Sequence, residues 1–204
     1  MKNMDLETAV KIINERKQVS DGNWYEHSVY VAIAAYAIAD RLKMDAEKAF
    51  VMGIMHDIGR SFSKGQFRHI RDGYEYLNSL GYTEIARICL THSFAIQDIN
   101  TYVGKMDISE AEQMNYQHIL RMQQYDFYDR LIQLCDSIST NSGYVIPEKK
   151  FVTNVFKYGF KESTIEKWRA VLEIYNDFEE KLGMNVNRFI LSSTGNPLDT
   201  ARRG

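Results

Sequence analysis

The chain has few prolines and few cysteines. Two prolines in 204 residues leave long stretches free to form helices, and the glycines are scattered rather than spaced like the turns of a strand-rich protein. We therefore predict an all-α protein. Two cysteines are too few for a disulfide framework, and the sequence does not start with the apolar core of a signal peptide. We expect free thiols in a cytoplasmic protein.

Long apolar runs and excess charge are also missing. No segment approaches the roughly 18 consecutive apolar residues of a membrane span, so we expect no membrane partner. A net charge of −2 argues against nucleic-acid binding through a general basic surface, although it permits a local basic pocket. The chain is long enough to bury a sizeable core in one domain. Its oligomeric state is left open, a homodimer included.

Apolar residues recur at three- and four-residue spacing along most of the chain. This periodicity predicts helices over about 5–18, 24–42, 46–58, 67–80, 83–94, 109–123, 125–139, 147–158 and 162–182. Gly59 is expected to end the third of them. We divide the chain into a helical bundle over residues 1–185 and a C-terminal tail over residues 186–204, whose role is open.

Four of the five histidines continue the apolar stripe of a predicted helix. One such histidine is ordinarily a hydrogen-bonded core residue, but four in one core would need many partners. Two aspartates join them: one directly follows a histidine, and the other interrupts an apolar run where an unpaired carboxylate is costly to bury. A metal cluster would satisfy all six side chains, because imidazole and carboxylate are common metal ligands. The six are His27, His56, Asp57, His69, His92 and Asp136. The fifth histidine, His118, lies among polar residues and is expected at the surface or behind the ligands.

The order and surroundings of these residues resemble the HD-domain superfamily of metal-dependent phosphohydrolases. The matching pieces are residues 26–28, 53–59, 69–77 and 131–136, within a motif core of about 21–158. The resemblance implies an all-α bundle of the HD-domain type. It also implies one metal held by a first set of ligands: His27, His56, Asp57 and Asp136.

The resemblance further points to the two-metal members of the superfamily. In those members additional histidines hold a second metal and the motif aspartate bridges the two, and His69 and His92 stand at the corresponding places. The implied cofactor is two iron ions, with manganese as an alternative. The likeness is greatest to the bacterial branch that hydrolyses diadenosine tetraphosphate.

The sequence also departs from several branches of the superfamily. It has no Gly-Tyr-Pro motif, which makes cyclic di-GMP an unexpected substrate. Arg60 stands where several two-metal members have lysine, and arginine keeps the charge while adding bidentate phosphate geometry. Nucleotidase-like members often carry a carboxylate soon after the motif, where it acts on the substrate. This sequence has no carboxylate there, so their mechanism is in doubt for this chain.

The loop over residues 60–68 is basic. It is either an ordinary solvated loop or an anion-binding rim of the site, because it directly follows the predicted metal-binding motif in the sequence. In the second interpretation Arg60, Lys64 and Arg68 bind the phosphate of the substrate.

These observations lead to a functional hypothesis. We expect a metal-dependent phosphohydrolase that cleaves a nucleotide phosphoester or phosphoanhydride, or another phosphate ester, with a metal-bound hydroxide. Asp57 is the catalytic residue in this hypothesis because both metals share it. Two alternatives stay open: a one-metal nucleotide phosphatase in which His69 and His92 position the substrate, and a non-catalytic module that binds metal or nucleotide. A zinc site that includes the thiolate of Cys89 or Cys135 is also conceivable.

Overall fold

The computed structural model describes residues 2–194 and confirms the all-α prediction. Only a two-residue antiparallel hairpin, Ser139–Thr140 (β1) with Gly143–Tyr144 (β2), interrupts the helices in this part of the chain. None of the described helices combines the length and the apolar character needed to cross a membrane. The helices are α1 (Leu6–Gln18), α2 (Trp24–Arg41), α3 (Ala46–Met55), α4 (Arg68–Ser79), α5 (Thr83–Thr91), α6 (Glu110–Arg121), α7 (Phe127–Ile138), α8 (Pro147–Tyr158), α9 (Thr164–Leu182) and α10 (Val186–Thr194).

Helices α2 and α3 form the centre of the core. Their backbones approach so closely at Gly53 that a Cβ atom there would lie 2.6 Å from the Cα atom of Ala32. The small side chain of Ala32, which is fully buried, allows this approach. Helices α1, α5 and α7 pack against α3, and α7 and α10 pack against α2.

The end of α3 differs from the sequence prediction. The helix ends at Met55, and a 3-10 turn follows over Ile58–Ser61, so Gly59 is not the residue that ends the helix. Gly59 instead lies against α4, where a Cβ atom would come 1.8 Å from the carbonyl oxygen of His69. The glycine is therefore required by close packing between two elements rather than by a helix cap.

The C-terminal segment also differs from the sequence interpretation. Residues Val186–Thr194, which the sequence interpretation assigns to the tail, form a helix that packs against α2 and α9. Val186, Phe189 and Ile190 are buried in this contact. The rest of that segment, residues 195–204, lies outside the described residues.

Candidate metal centre

Five helices deliver the six predicted ligands to one place. His27 lies on α2, His69 in the first turn of α4, and Asp136 in the last turn of α7. His56 directly follows α3, and His92 directly follows α5. Two of the ligands thus sit at the point where a helix ends, which lets their side chains reach beside the helix end.

Asp57 is the centre of this arrangement. Its Oδ2 atom lies 4.0 Å from Nε2 of His27 and 3.8 Å from Nε2 of His56. Its Oδ1 atom lies 3.1 Å from Nε2 of His69 and 3.6 Å from Nε2 of His92. The carboxylate therefore faces two pairs of imidazoles, one pair with each oxygen.

These contacts define two groups of potential metal ligands that share one residue. His27, His56 and Asp57 form the first group, and Asp57, His69 and His92 form the second. In each group one ligand atom per residue lies within 4.8 Å of the others. Oδ1 of Asp136 lies 3.1 Å from Nε2 of His27, which places this carboxylate beside the first group.

Three of the histidines are oriented by backbone carbonyls. Nδ1 of His56 lies 2.7 Å from the carbonyl oxygen of Gly53, Nδ1 of His92 lies 2.9 Å from that of Cys89, and Nδ1 of His69 contacts that of Gln66. A carbonyl oxygen only accepts, so Nδ1 carries the proton and Nε2 is a bare acceptor. Three lone pairs on nitrogen therefore face carboxylate oxygens, an arrangement that a cation stabilises.

Burial makes the need for a cation stronger. His56, Asp57, His69 and His92 are each at most 4% exposed. Nε2 of His56 and Oδ1 of Asp57 have no hydrogen-bond partner in the described part of the chain. An unsatisfied buried polar atom costs free energy, and a carboxylate costs more. The residues present therefore fit a divalent metal site.

The charge states of the side chains suit metal binding. Burial lowers the pKa of His92 to about 3 and also lowers the pKa values of His27 and His69, so these imidazoles are neutral near neutral pH. Burial alone would raise the pKa of Asp57, but the charge of Arg60 and the neighbouring histidines hold it well below its usual range. Asp57 is therefore an anion and is suited to hold a metal ion.

Asp136 is also held as an anion, by a residue that sequence reasoning missed. Nζ of Lys150 on α8 donates to Oδ1 of Asp136 at 2.8 Å and to the carbonyl oxygen of Ser139 at 3.3 Å. Against the effect of burial, this charge and the hydrogen bond with His27 keep the pKa of Asp136 well below its usual range. The only signal in the sequence was the carboxylate inside an apolar run, which required a cation but did not say which one.

The three residues predicted to bind phosphate have different positions. Nε of Arg60 donates to Oδ2 of Asp57 at 2.6 Å, and its Nη2 lies 3.2 Å from Nε2 of His69. Lys64 lines the cavity above the centre. Arg68 is directed elsewhere, because its backbone N–H and its Nε donate to Asp107. The structure thus brings Arg60 and Lys64 to the site but does not bring Arg68.

The remaining candidates lie outside the centre. His118 is exposed on α6, as predicted for a surface residue. Neither group of potential ligands includes a cysteine among the described residues. Sγ of Cys89 donates to the carbonyl oxygen of Met55 at 3.3 Å, so nothing in this geometry favours a thiolate zinc site.

A cavity of about 600 Å³ opens over the centre. His27, Asp57 and His92 form part of its floor, and α8 forms one wall. Four cationic side chains line it: Arg60, Lys64, Lys150 and Lys157. The carboxylates that line it are Asp21, Asp57 and Asp136, and the latter two belong to the metal centre. The cavity therefore suits an anionic ligand.

The fold and the centre define a class of protein: an all-α domain with clustered histidines and aspartates that binds divalent metal. A family model described as "HD domain" matches residues 24–141, which is more than half of the chain, and the chain belongs to this family. HD domains are generally metal-dependent hydrolases of the phosphohydrolase type, and such a domain acts on a phosphate ester of a small molecule. Comparisons with curated proteins and with solved structures found no match.

Proposed function

We propose that this protein is a two-metal phosphohydrolase that cleaves a phosphoester or phosphoanhydride bond of a nucleotide. Membership in the HD domain family supports the general reaction class. The number of metals is supported by one observation above all: Asp57 is shared by two groups of potential ligands, one on each carboxylate oxygen. Iron is the metal that we propose, with manganese as the alternative, because imidazole and carboxylate ligands suit both.

In this proposal the protein side chains have separate tasks. His27, His56 and Asp136 would hold the first metal with Asp57, and His69 and His92 would hold the second. When bound, two metals would polarise a phosphoryl oxygen and supply an activated water as nucleophile.

The rim of the cavity has a different task. Arg60 and Lys64 would bind the oxygens of the phosphoryl group, the first through a planar pair of donors. Both acidic side chains at the bottom of the cavity are ligands in this proposal, so we assign no side chain as a separate general base.

One observation favours the one-metal alternative. The guanidinium of Arg60 contacts both Asp57 and His69 and so supplies a positive charge to the second group of ligands without a metal. In that case only the first group would hold metal, and His69 and His92 would position the substrate. The two functions differ in metal content and in its response to substitution.

Metal content decides between them. We expect about two irons or manganeses per chain by elemental mass spectrometry after loading. His69→Ala should lower the content to about one, and Asp57→Asn should remove nearly all bound metal. His118→Ala is the matched control, since this histidine is exposed on α6. About one metal that is indifferent to His69→Ala would favour the one-metal enzyme, and no metal would overturn both functions.

Turnover is the second measurement. The loaded protein should release phosphate or nucleotide from at least one member of a panel of dinucleoside polyphosphates, nucleoside triphosphates and nucleoside monophosphates. Asp57→Asn should reduce this turnover by about 10³-fold or more, because it removes the ligand shared by both groups. A protein that retains about two metals and hydrolyses no member of the panel would be a binding module instead.

A further inference from the structure

A second, smaller cavity of about 100 Å³ adjoins the metal centre between α7, α8 and α9. His92 and Asp136 line both this cavity and the larger one, so the two cavities meet at these two candidate metal ligands. Helices α8 and α9 follow residue 141 and lie outside the part of the chain that matches the family model. This cavity is therefore completed by elements that the HD domain match does not cover.

Lys167 on α9 brings an incompletely bonded ammonium to the smaller cavity. Among the described residues its Nζ makes one hydrogen bond, to the carbonyl oxygen of Ser93 at 2.9 Å. An ammonium has three donors, so two N–H groups are left for a ligand.

The electrostatic surroundings of Lys167 call for an anion. Burial lowers its pKa to about 8, and the positive charges of Lys150 and Lys161 act in the same direction, while Asp136 opposes them. That carboxylate already pairs with Lys150 and approaches His27. A desolvated ammonium with no carboxylate of its own would be stabilised by a bound anion.

Two more polar groups in the wall are uncommitted. The hydroxyl of Ser93 and the side-chain amide of Asn154 make no hydrogen bond to another described residue, and both line the two cavities. The side-chain amide of Gln133 in the same wall is engaged instead, since its nitrogen donates to the carbonyl oxygens of Thr91 and Phe94. These two uncommitted groups thus lie in the wall that the smaller cavity shares with the larger one.

We propose that Ser93, Asn154 and Lys167 form a subsite for a second, non-scissile phosphoryl group. The substrate would then carry two neighbouring phosphoryl groups, as a phosphoanhydride does, with one at the metal ligands and the other in the smaller cavity. A space of about 100 Å³ admits a phosphoryl group, whereas a nucleoside needs the larger cavity of about 600 Å³. This inference rests on the proposed function, since it places the scissile group at the metal centre.

The experiment compares two probes that are not hydrolysed. Imidodiphosphate carries two neighbouring phosphoryl groups, and inorganic phosphate carries one. Isothermal titration of the manganese-loaded protein should show imidodiphosphate binding at least about tenfold more tightly than phosphate, because the second group adds charge-assisted hydrogen bonds. Lys167→Met should remove this preference and leave phosphate binding within about twofold of the wild-type value.

The matched control is Lys181→Met, the same change on the same helix. Lys181 is exposed and pairs with Asp177, so its replacement should keep the full preference. Should Lys167→Met fail to fold, Asn154→Ala takes its place and should reduce the preference by about threefold or more. A preference that survives Lys167→Met, or Asn154→Ala in its stead, overturns the subsite.

The outcomes also separate the two proposals. Retained metal with equal binding of both probes by the wild-type protein overturns the second phosphoryl site alone. Absence of metal, or retained metal with no binding of either probe, overturns the subsite and the proposed function together.

Discussion

At the scale of single residues, three backbone carbonyls decide which nitrogen of each buried histidine faces the metal centre. In every case the carbonyl belongs to the residue three positions earlier: Gly53 for His56, Gln66 for His69, and Cys89 for His92. This contact is local, because a residue at or near a helix end lies beside the carbonyl three positions back. The orientation of the ligands is thus set by the chain around each histidine, before the helices meet.

Lys167 offers a prediction about stability and pH. Its pKa is about 8 in the folded protein and 10.5 when unperturbed. Between these values the unfolded chain binds more protons, so this residue makes the free energy of unfolding rise with pH across that window. Below about pH 8 the partly buried charge destabilises the protein by its full amount.

Lys167→Met should therefore stabilise the protein near neutral pH by roughly 1–3 kcal/mol, and the gain should shrink as the pH approaches about 10.5. Urea unfolding near pH 7 and near pH 10 measures both values. The groups that face this ammonium are Asp136, Lys150 and Lys161. Lys181→Met should show no such pH dependence, and a Lys167→Met protein that is equally destabilised at both pH values would contradict the prediction.

The cysteines offer a prediction about reactivity. Cys89 and Cys135 are both fully buried, and burial raises the pKa of each thiol. Thiolate is the reactive form, so neither thiol should react with Ellman's reagent in the native protein near neutral pH. Both should react in urea, which is the internal control. A thiol that reacts rapidly in the folded protein would restore the thiolate zinc site as an alternative.

At the scale of elements, the ends of helices matter more for the site than their faces. Helices α3 and α5 each end one residue before a histidine ligand, at Met55 and at Thr91. Helix α4 begins beside the 3-10 turn Ile58–Ser61, and its N-cap residue Phe67 has no side-chain acceptor. The carboxylate of Asp107, from a distant loop, accepts instead from the N–H of Arg68, the first residue of the helix, and from that of Gln66 just before it. This is the reason that Arg68 is drawn away from the cavity.

Gly59 provides the test of this packing. An added Cβ atom would lie 1.8 Å from the carbonyl oxygen of His69 and 2.6 Å from the backbone nitrogen of Gly73, and neither backbone atom can rotate away. We expect Gly59→Ala to destabilise the protein by about 3 kcal/mol and to remove the second metal by displacing His69. Urea unfolding and metal content check the two effects. Ser79→Ala, at the exposed end of α4, should change stability by less than about 0.5 kcal/mol.

A stable Gly59→Ala protein with its full metal content would show that the 3-10 turn and α4 are free to separate. The position of His69 would then depend on something other than this contact.

At the scale of the whole molecule, the core extends beyond the boundary that we drew at residue 185. Helix α10 packs against α2 and α9, and Ile190 is 0% exposed, whereas its neighbour Leu191 is 57% exposed. The helix is only nine residues long and directly follows a turn. A segment of this length has too few apolar positions for its periodicity to predict a helix. We now place Val186–Thr194 in the same folded unit as the bundle.

Adjacent substitutions test this placement. Ile190→Ala should lower the free energy of unfolding by about 2–5 kcal/mol, because it leaves a cavity against α2. Leu191→Ala is the matched control and should change it by less than about 0.5 kcal/mol. Urea unfolding gives both values when the two variants are fitted with the same dependence of the free energy of unfolding on urea concentration. Equal, small effects at the two positions would mean that α10 does not contribute to the core.

The net charge of the molecule does not reflect the charge of the cavities at its site. The net charge is −2, yet cationic side chains outnumber the carboxylates that line the two cavities. Composition alone therefore argued against a general basic surface and could not locate the pocket. Three of the four lysines in the lining, Lys150, Lys157 and Lys167, come from α8 and α9, far along the chain from the histidines.

The sequence by itself determined most of the helices and picked out the candidate metal ligands. Apolar spacing predicted nearly every helix, because helices depend on hydrogen bonds and contacts between residues three or four positions apart. The histidines were recognised for a related reason, since each continued a local apolar stripe. Their carbonyl partners are local as well.

Only the tertiary structure decided which of these residues meet. Periodicity states that a face is inward but not which side chains oppose it. The division of Asp57 between two pairs of histidines was implied by the family resemblance and not by spacing, and the pairing of Asp136 with Lys150 was implied by neither. The same holds for Arg68 and Asp107, and for Lys167 beside Ser93. These partners are far apart in the chain and come together only when the rotation and depth of each helix are set by packing.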